Sequence, residues 1–333
     1  MSFLLAVALD RQGWRPSDGG DPATVFSAAH WTRLARLADD ARLDFLTIED
    51  TFAGDGRPEA VLLAARLAPV TSHVGLIPVA TTTHTEPFHL STSLATVDHV
   101  SNGRAGWQVR VSGRPSEAAL LGRRDPMAIE ELFAEAADAV EVVRRLWDSW
   151  QDDAIIKDVA TGRFIDRDRL HYIDFTGAYF SVKGPSIVPR SPQGQLVVAA
   201  LAHSPEVLEF ASRVADVAFV TPALGAAPPV SPSLKIFVDL TVAFSGEAVE
   251  SDAAGFAGTP EQLADLLTDW HGLGAYGFRL RPARLPDDLG VITSELVPLL
   301  RARGLWEPHF GTLRERLGLP AAVNRYEEGA SVA

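Results

Sequence analysis

The chain has 333 residues, 47% hydrophobic and 22% charged, and its 30 Lys and Arg against 43 Asp and Glu leave a formal net charge of −13. That length predicts about two ordinary domains or one large α/β barrel, and the acidic balance argues against nucleic acid as a partner, because it repels a phosphate backbone. The absence of cysteine excludes disulfides, thiolate metal centres, iron–sulfur clusters and cysteine nucleophiles; with no basic leader and no apolar run near the ~20 residues of a membrane span, the expectation is a cytoplasmic protein with no metal and no membrane association.

In chain order, short β-rich runs alternate with helical patterns. Phe3–Leu9 reads as the first strand, Trp31–Ala41 as a helix, and Phe45–Ile48 as a buried strand ending in Glu49-Asp50-Thr51. Pro58–Ala68 is helical, Val74–Ala80 is a strand running into Thr81-Thr82-Thr83-His84, and Pro87–His99 is helical again. A fourth strand near Ala105–Val109 precedes a long amphipathic helix from Asp125 to Trp150. Residues 151–194 are too long for a plain βα loop and read as an inserted excursion with a short hairpin. Gln195–Leu201 (strand), Pro205–Val214 (helix) and Val217–Val220 (strand) resume the rhythm. At 221–233 the Pro-rich run TPALGAAPPVSPS stands where another helix is due. Leu234–Leu240 and Tyr276–Leu280 close the series, separated by a helix that Thr259 caps and Pro260 begins. Eight strands with interleaved helices predict an α/β fold, a (βα)8 TIM-type barrel, with an insertion after the fourth strand-helix unit and a missing helix between strands six and seven. The predicted organisation is one domain over residues 1–320 and a tail over 321–333.

In such a barrel, chemistry collects at the carboxyl ends of the strands. Asp50 there can hydrogen-bond a ligand or cap a helix; Thr82 and His84 offer hydroxyl and imidazole, and His84 is the candidate for moving a proton. Gln108, Arg110 and Ser112 share one strand end, and Ser204-Pro205 starts a helix whose free N–H groups can receive phosphate. No phosphate-loop, HExxH, nucleophile-elbow or dinucleotide fingerprint is present. The residues alone imply a barrel that binds a small, phosphorylated ligand.

HVGLIPVATTTHTEPFHLSTSLATVDHVSNGRAGWQV, with RRLWDSW, GPSIVPRSPQGQ, GTPEQLADLL and RGLWEPHFGTLRERLGL, resembles the bacterial luciferase-like flavin-dependent monooxygenases, in the branch of nitrilotriacetate and dibenzothiophene-sulfone monooxygenases. The resemblance implies a two-component enzyme that takes reduced FMN from a separate flavin reductase, uses dioxygen, and oxygenates a small-molecule substrate; it also implies a homodimer pairing through the early helices. Carried over by position, Asp50, Thr82 and Gln108 approach the flavin ring, while Ser112 and Ser204 lie toward its phosphate. Phe133 stands for a phosphate-binding Tyr and Val207 for a Gly, departures that imply weak FMN binding. The alternatives are a degenerate, non-catalytic barrel acting as a binding or partner subunit, and a deazaflavin-dependent oxidoreductase.

Overall fold

In the computed structural model, which describes residues 2–15, 22–53, 56–222, 231 and 234–327, eight strands run parallel in one ring. They are β1 (Leu4–Leu9), β2 (Phe45–Ile48), β3 (Gly75–Thr81), β4 (Gly106–Arg110), β5 (Val197–Leu201), β6 (Val217–Val220), β7 (Lys235–Ala243) and β8 (Gly277–Pro282). Each strand bonds to the next, and β8 returns to β1 through Leu4 opposite Gly277. The ring is therefore closed and has no free edge. This is the barrel that the alternation of elements predicts.

Around it lie α1 (Ala28–Asp40), α2 (Ala60–Leu67), α3 (Pro87–Ser101), α4 (Pro115–Leu121), α5 (Ile129–Asp148), α6 (Pro205–Val214) and α7 (Pro260–Gly272). Their starts are written locally: the Glu59 carboxylate accepts from Leu62 N–H at 2.6 Å, Thr259 and Gln262 form a capping box, and prolines occupy the first turns of α3, α6 and α7, where a missing N–H costs nothing.

The structure differs from the sequence expectation in detail. The helix expected over Asp125–Trp150 is shorter, and α4 precedes it, opened by Pro115. The 151–194 excursion holds two small antiparallel ribbons where one hairpin is expected: Ile155–Asp158 with Arg163–Ile165, and Phe175–Thr176 with Ser181–Val182. A further strand, Ala254–Ala257, pairs parallel with the end of β7; its Ala-Gly-Phe-Ala run has little strand propensity of its own. Within the connector at 221–233, residues 223–230, 232 and 233 lie outside the described residues, and so does the expected loss of a helix there.

Strand alternation sorts the core into two layers. Leu4, Ala6, Phe45, Ile77, Val197, Ala199, Phe219 and Phe237 fill the lumen; Leu5, Val7, Leu46, Val198, Val238 and Phe278 point out toward the helices. Leu313 and Leu317 plug the lumen at the amino ends of the strands. Gly75 admits this plug, since a Cβ there would stand 2.8 Å from Leu313 Cδ1. Asp44 ties the plug down, accepting from Leu5 N–H (2.7 Å), Trp306 Nε1 (3.2 Å) and His309 Nδ1 (2.9 Å). Arg104, also buried, donates to the carbonyls of Ser101, Val74, Ala68 and Thr71. The floor is thus sealed, and the opposite end is left to carry a site.

Candidate functional site

The upper lumen is charged. Arg279 and Arg281 alternate with Phe278 and Leu280 along β8, so both face inward. Arg279 is fully buried: its Nε and Nη2 donate to the two oxygens of Asp239 at 2.9 and 2.7 Å, and its Nη1 donates to Gln108 Oε1 at 2.8 Å. Thr47 Oγ1 and Glu49 lie at 3.3 and 3.4 Å from the same nitrogen, and the guanidinium sits 4.0 Å from the Phe219 ring centroid. A planar cation with this many acceptors and an aromatic face is what makes a dry charge tolerable.

Arg281 extends the cluster upward, donating to Asp239 and Asp252. His203 stands between the same carboxylates, Nε2 at 3.2 Å from Asp239 and Nδ1 at 3.4 Å from Asp252. Burial works to raise the Asp239 pKa, but Arg279 and Arg281 hold it far below the usual carboxylate range. The His203 hydrogen bond, against burial and together with Arg281, keeps Asp252 low as well. Burial alone would lower His203, yet its two carboxylate partners raise it. With both ring nitrogens facing acceptors, this imidazole is a cationic strut and has no lone pair free to act as a base.

Above the network opens a cleft of about 450 Å³, a size that suits a small ligand or cofactor. Trp14, Phe133, Val109, Leu201 and Val207 supply its apolar wall; Gln108 and Arg281 supply polar groups. Of the sequence candidates, the structure brings Gln108, Arg110, Phe133 and Val207 together on this lining. Phe133 also stacks on Phe210 with centroids 5.1 Å apart.

The other candidates face elsewhere or are engaged. Asp50 points away from the lumen: its carboxylate accepts from Ala60 N–H, at the start of α2, at 2.9 Å and from Thr51 N–H at 2.7 Å. Burial raises its pKa in spite of those bonds, and it lines a separate cleft of about 310 Å³ with His89 and Leu90. Thr82 is buried, its hydroxyl donating to the Arg110 carbonyl at 3.2 Å. The Ser112 hydroxyl donates to Glu117, and Ser204 Oγ accepts from Val207 N–H within its own helix turn at 3.5 Å. His84 lines neither cleft. Its φ of +66° is left-handed backbone, its Nδ1 is buried without a partner among the described residues, and burial, assisted by Arg124, lowers its pKa.

Asp239, Asp252, Arg279 and Arg281 were not singled out from the sequence. A signal existed: Phe-Arg-Leu-Arg places two cations with a period of two in a run otherwise apolar enough to be buried, which implies a charged lumen and a buried anion to match.

The luciferase-like monooxygenase family matches residues 1–228 of the chain. N-acetyl-S-(2-succino)cysteine monooxygenase of Bacillus subtilis (strain 168) is 29% identical over 428 aligned positions, covering 97% of each chain. That alignment is longer than the 333 residues present here, so segments of the relative have no counterpart in this chain. Nitrilotriacetate monooxygenase component A of Aminobacter aminovorans is 34% identical across 66% of this chain, which spans 53% of that relative. In fold, EDTA monooxygenase from Chelativorans sp. BNC1 superposes with a TM-score of 0.83 at 24% identity, over 96% of this chain and 99% of that one. A closed barrel with its lining gathered at one mouth, and a family match running from the first residue through β6, lead to one assignment: the chain belongs to the luciferase-like monooxygenase family.

Proposed function

We propose that this protein is the oxygenating component of a two-component system, taking reduced FMN from a separate flavin reductase and using dioxygen to oxygenate a small organic substrate. The observation that carries the reading is the cleft at the carboxyl ends of the strands, with aromatic and aliphatic walls over a fixed polar floor. Its residues fit a flavin ring: Trp14, Phe133 and Leu201 offer flat or apolar surface, and Gln108, its oxygen held by Arg279, turns its amide nitrogen into a fixed donor. They fit the phosphate less well through the positions carried over from the family, because the Ser112 hydroxyl is spent on Glu117 and Phe133 has none.

Bound reduced FMN would supply the electrons for activating dioxygen. The protein's part is to orient and to exclude water. Gln108 and Arg279 present oriented dipole and charge from the floor, while Phe133, Val207 and Leu201 keep the wall dry. Asp239 remains ionised and cannot donate a proton, and the protons that oxygenation consumes come from another source.

The deciding experiment is an anaerobic titration with FMN and chemically reduced FMN, followed by admission of air and measurement of oxygen uptake with and without a flavin reductase. Tighter binding of reduced than oxidised flavin, with oxygen consumption, supports the reading; no binding of either form refutes it. In that event the second reading stands, a non-catalytic partner barrel, which the engaged Ser112 and the substituted Phe133 and Val207 favour.

We further propose that the protein is cytoplasmic and pairs as a homodimer through α2 and α3, where Leu62 is 72% exposed and Val100 45% exposed, apolar groups that gain by being covered. Light scattering should return the mass of two chains; the mass of one at micromolar concentration refutes the pairing.

A further inference from the structure

Four arginines line the cleft, Arg57, Arg110, Arg114 and Arg281, on a chain whose net charge is −13. Two have carboxylate partners: Arg57 reaches Asp10 at 3.1 Å, and Arg281 bonds Asp239 and Asp252. Among the described residues Arg110 donates to the backbone carbonyl of Asp50, at 2.9 Å, and its charge helps to hold down the pKa of the Asp50 carboxyl. The side chain of Arg114, an exposed residue at the N-cap of α4, makes no hydrogen bond or ion pair among the described residues.

Nearby carboxylates leave Arg114 without an ion-pair partner among the described residues, and leave Arg110 with the field of Asp50 alone. Glu49 lies against Arg279, and Asp252 against Arg281 and His203. Asp50 is occupied by backbone N–H groups. Glu117, one turn into α4, is buried and accepts from both Ser112 and Thr51. Those last bonds also brace the connection between Arg110, the last residue of β4, and Arg114 at the start of α4, and Ser112 N–H adds another by donating to Thr83 Oγ1 at 3.0 Å. The two cations therefore stand four residues apart at the two ends of a pinned connection, Arg110 half-buried and Arg114 exposed at the rim of the cleft. A guanidinium so placed binds phosphate or carboxylate as a two-pronged donor.

We propose that Arg110 and Arg114 form an oxyanion subsite in the cleft wall, which receives a phosphate monoester or a carboxylate of the ligand bound there. The inference rests on this cleft being the reaction site. The oxyanion has two possible sources, the phosphate of the flavin and a carboxylate of the substrate, and Phe133 and Val207, on the same lining, leave the phosphate short of other donors.

The test titrates the wild type, Arg114→Gln, Arg114→Lys and Arg110→Gln with FMN, with riboflavin, which lacks the phosphate, and with citrate as a tricarboxylate probe. Circular dichroism and melting temperature establish that each variant is folded; Arg114→Gln decides, because that side chain has no internal bond to lose. If the phosphate is the ligand group, FMN weakens about tenfold per glutamine substitution while riboflavin is unmoved. If a carboxylate is the ligand group, both flavins bind all variants alike and citrate weakens about tenfold. In either case Arg114→Lys recovers part of the loss and added salt reduces the difference. Affinities for all three probes that are the same in wild type and variants overturn the subsite even where flavin binds. Citrate binding that depends on Arg114, with no flavin binding at all, supports the subsite and refutes the flavin reading. Binding of none of the three probes overturns both.

Discussion

At Phe133 the cleft lacks one oxygen atom. The ring lines the cleft and stacks on Phe210 at an interplanar angle of 22°, so Phe133→Tyr keeps the stack and adds a hydroxyl. FMN should tighten by ~1–2 kcal/mol, the worth of one charge-assisted hydrogen bond, with riboflavin unchanged, as read by flavin fluorescence. Adding Val207→Gly opens the backbone further but costs ~1 kcal/mol of helix stability, so the single substitution is the cleaner measurement. Asp239 has the opposite character, a residue that cannot be altered quietly. Asp239→Asn removes the charge that holds two buried arginines and should cost ~3–5 kcal/mol in urea unfolding. Because the folded pKa of Asp239 is depressed, its stabilisation is complete above the ordinary value near 3.8 and is lost only as pH falls through the much lower folded value. Mild acid should therefore leave the network intact, and a loss of stability near pH 5 traceable to Asp239 would contradict this.

At the scale of elements, the loop before the Ala254–Ala257 strand is latched to the barrel by Asp252 on His203 and Arg281. His203 has a raised pKa, so its contribution is complete below its ordinary value near 6.5 and fades as pH rises through the higher folded value. The difference in melting temperature between wild type and His203→Gln should be largest below the ordinary value near 6.5 and shrink as pH rises through the higher folded value; a difference independent of pH would mean that the imidazole acts by packing alone. The elements themselves were legible because their signals are local. Phe45–Ile48, Val217–Val220 and Pro205–Val214 fall where apolar runs, Ser204 and Pro205 put them, while Ala254–Ala257 depends on β7 for its pairing and leaves no such trace. The blocks that carry the family resemblance turn out to build the floor: Arg104 bonds four carbonyls there, and Trp306 and His309 hold Asp44. Of the site, those blocks reach only the Gln108 end of the cleft lining. The mouth was less legible, since whether Ser112 meets a ligand or Glu117 depends on contacts between separate connections that no spacing encodes.

Across the whole molecule the two ends of the barrel divide the labour, which is the arrangement expected when the floor serves stability and the mouth serves chemistry. The lumen between them is filled, with Phe45, Phe219 and Phe237 stacked between the leucine plug and the buried Arg279–Asp239 pair. Thinning only the bottom layer should leave the top in place, because the closed hydrogen-bonded ring resists collapse and the arginine pair is fixed by its own bonds. Leu313→Ala and Leu317→Ala, both at positions with no exposed surface, should each cost ~2–5 kcal/mol, the cost of a core cavity that cannot close. Ligand binding at the far end should be unchanged at temperatures where the variants remain folded. Chemical denaturation gives the first quantity and flavin titration the second. If either leucine substitution weakens flavin binding as much as it weakens the fold, the floor and the mouth are one mechanical unit, and the separation argued from the sealed lumen is wrong.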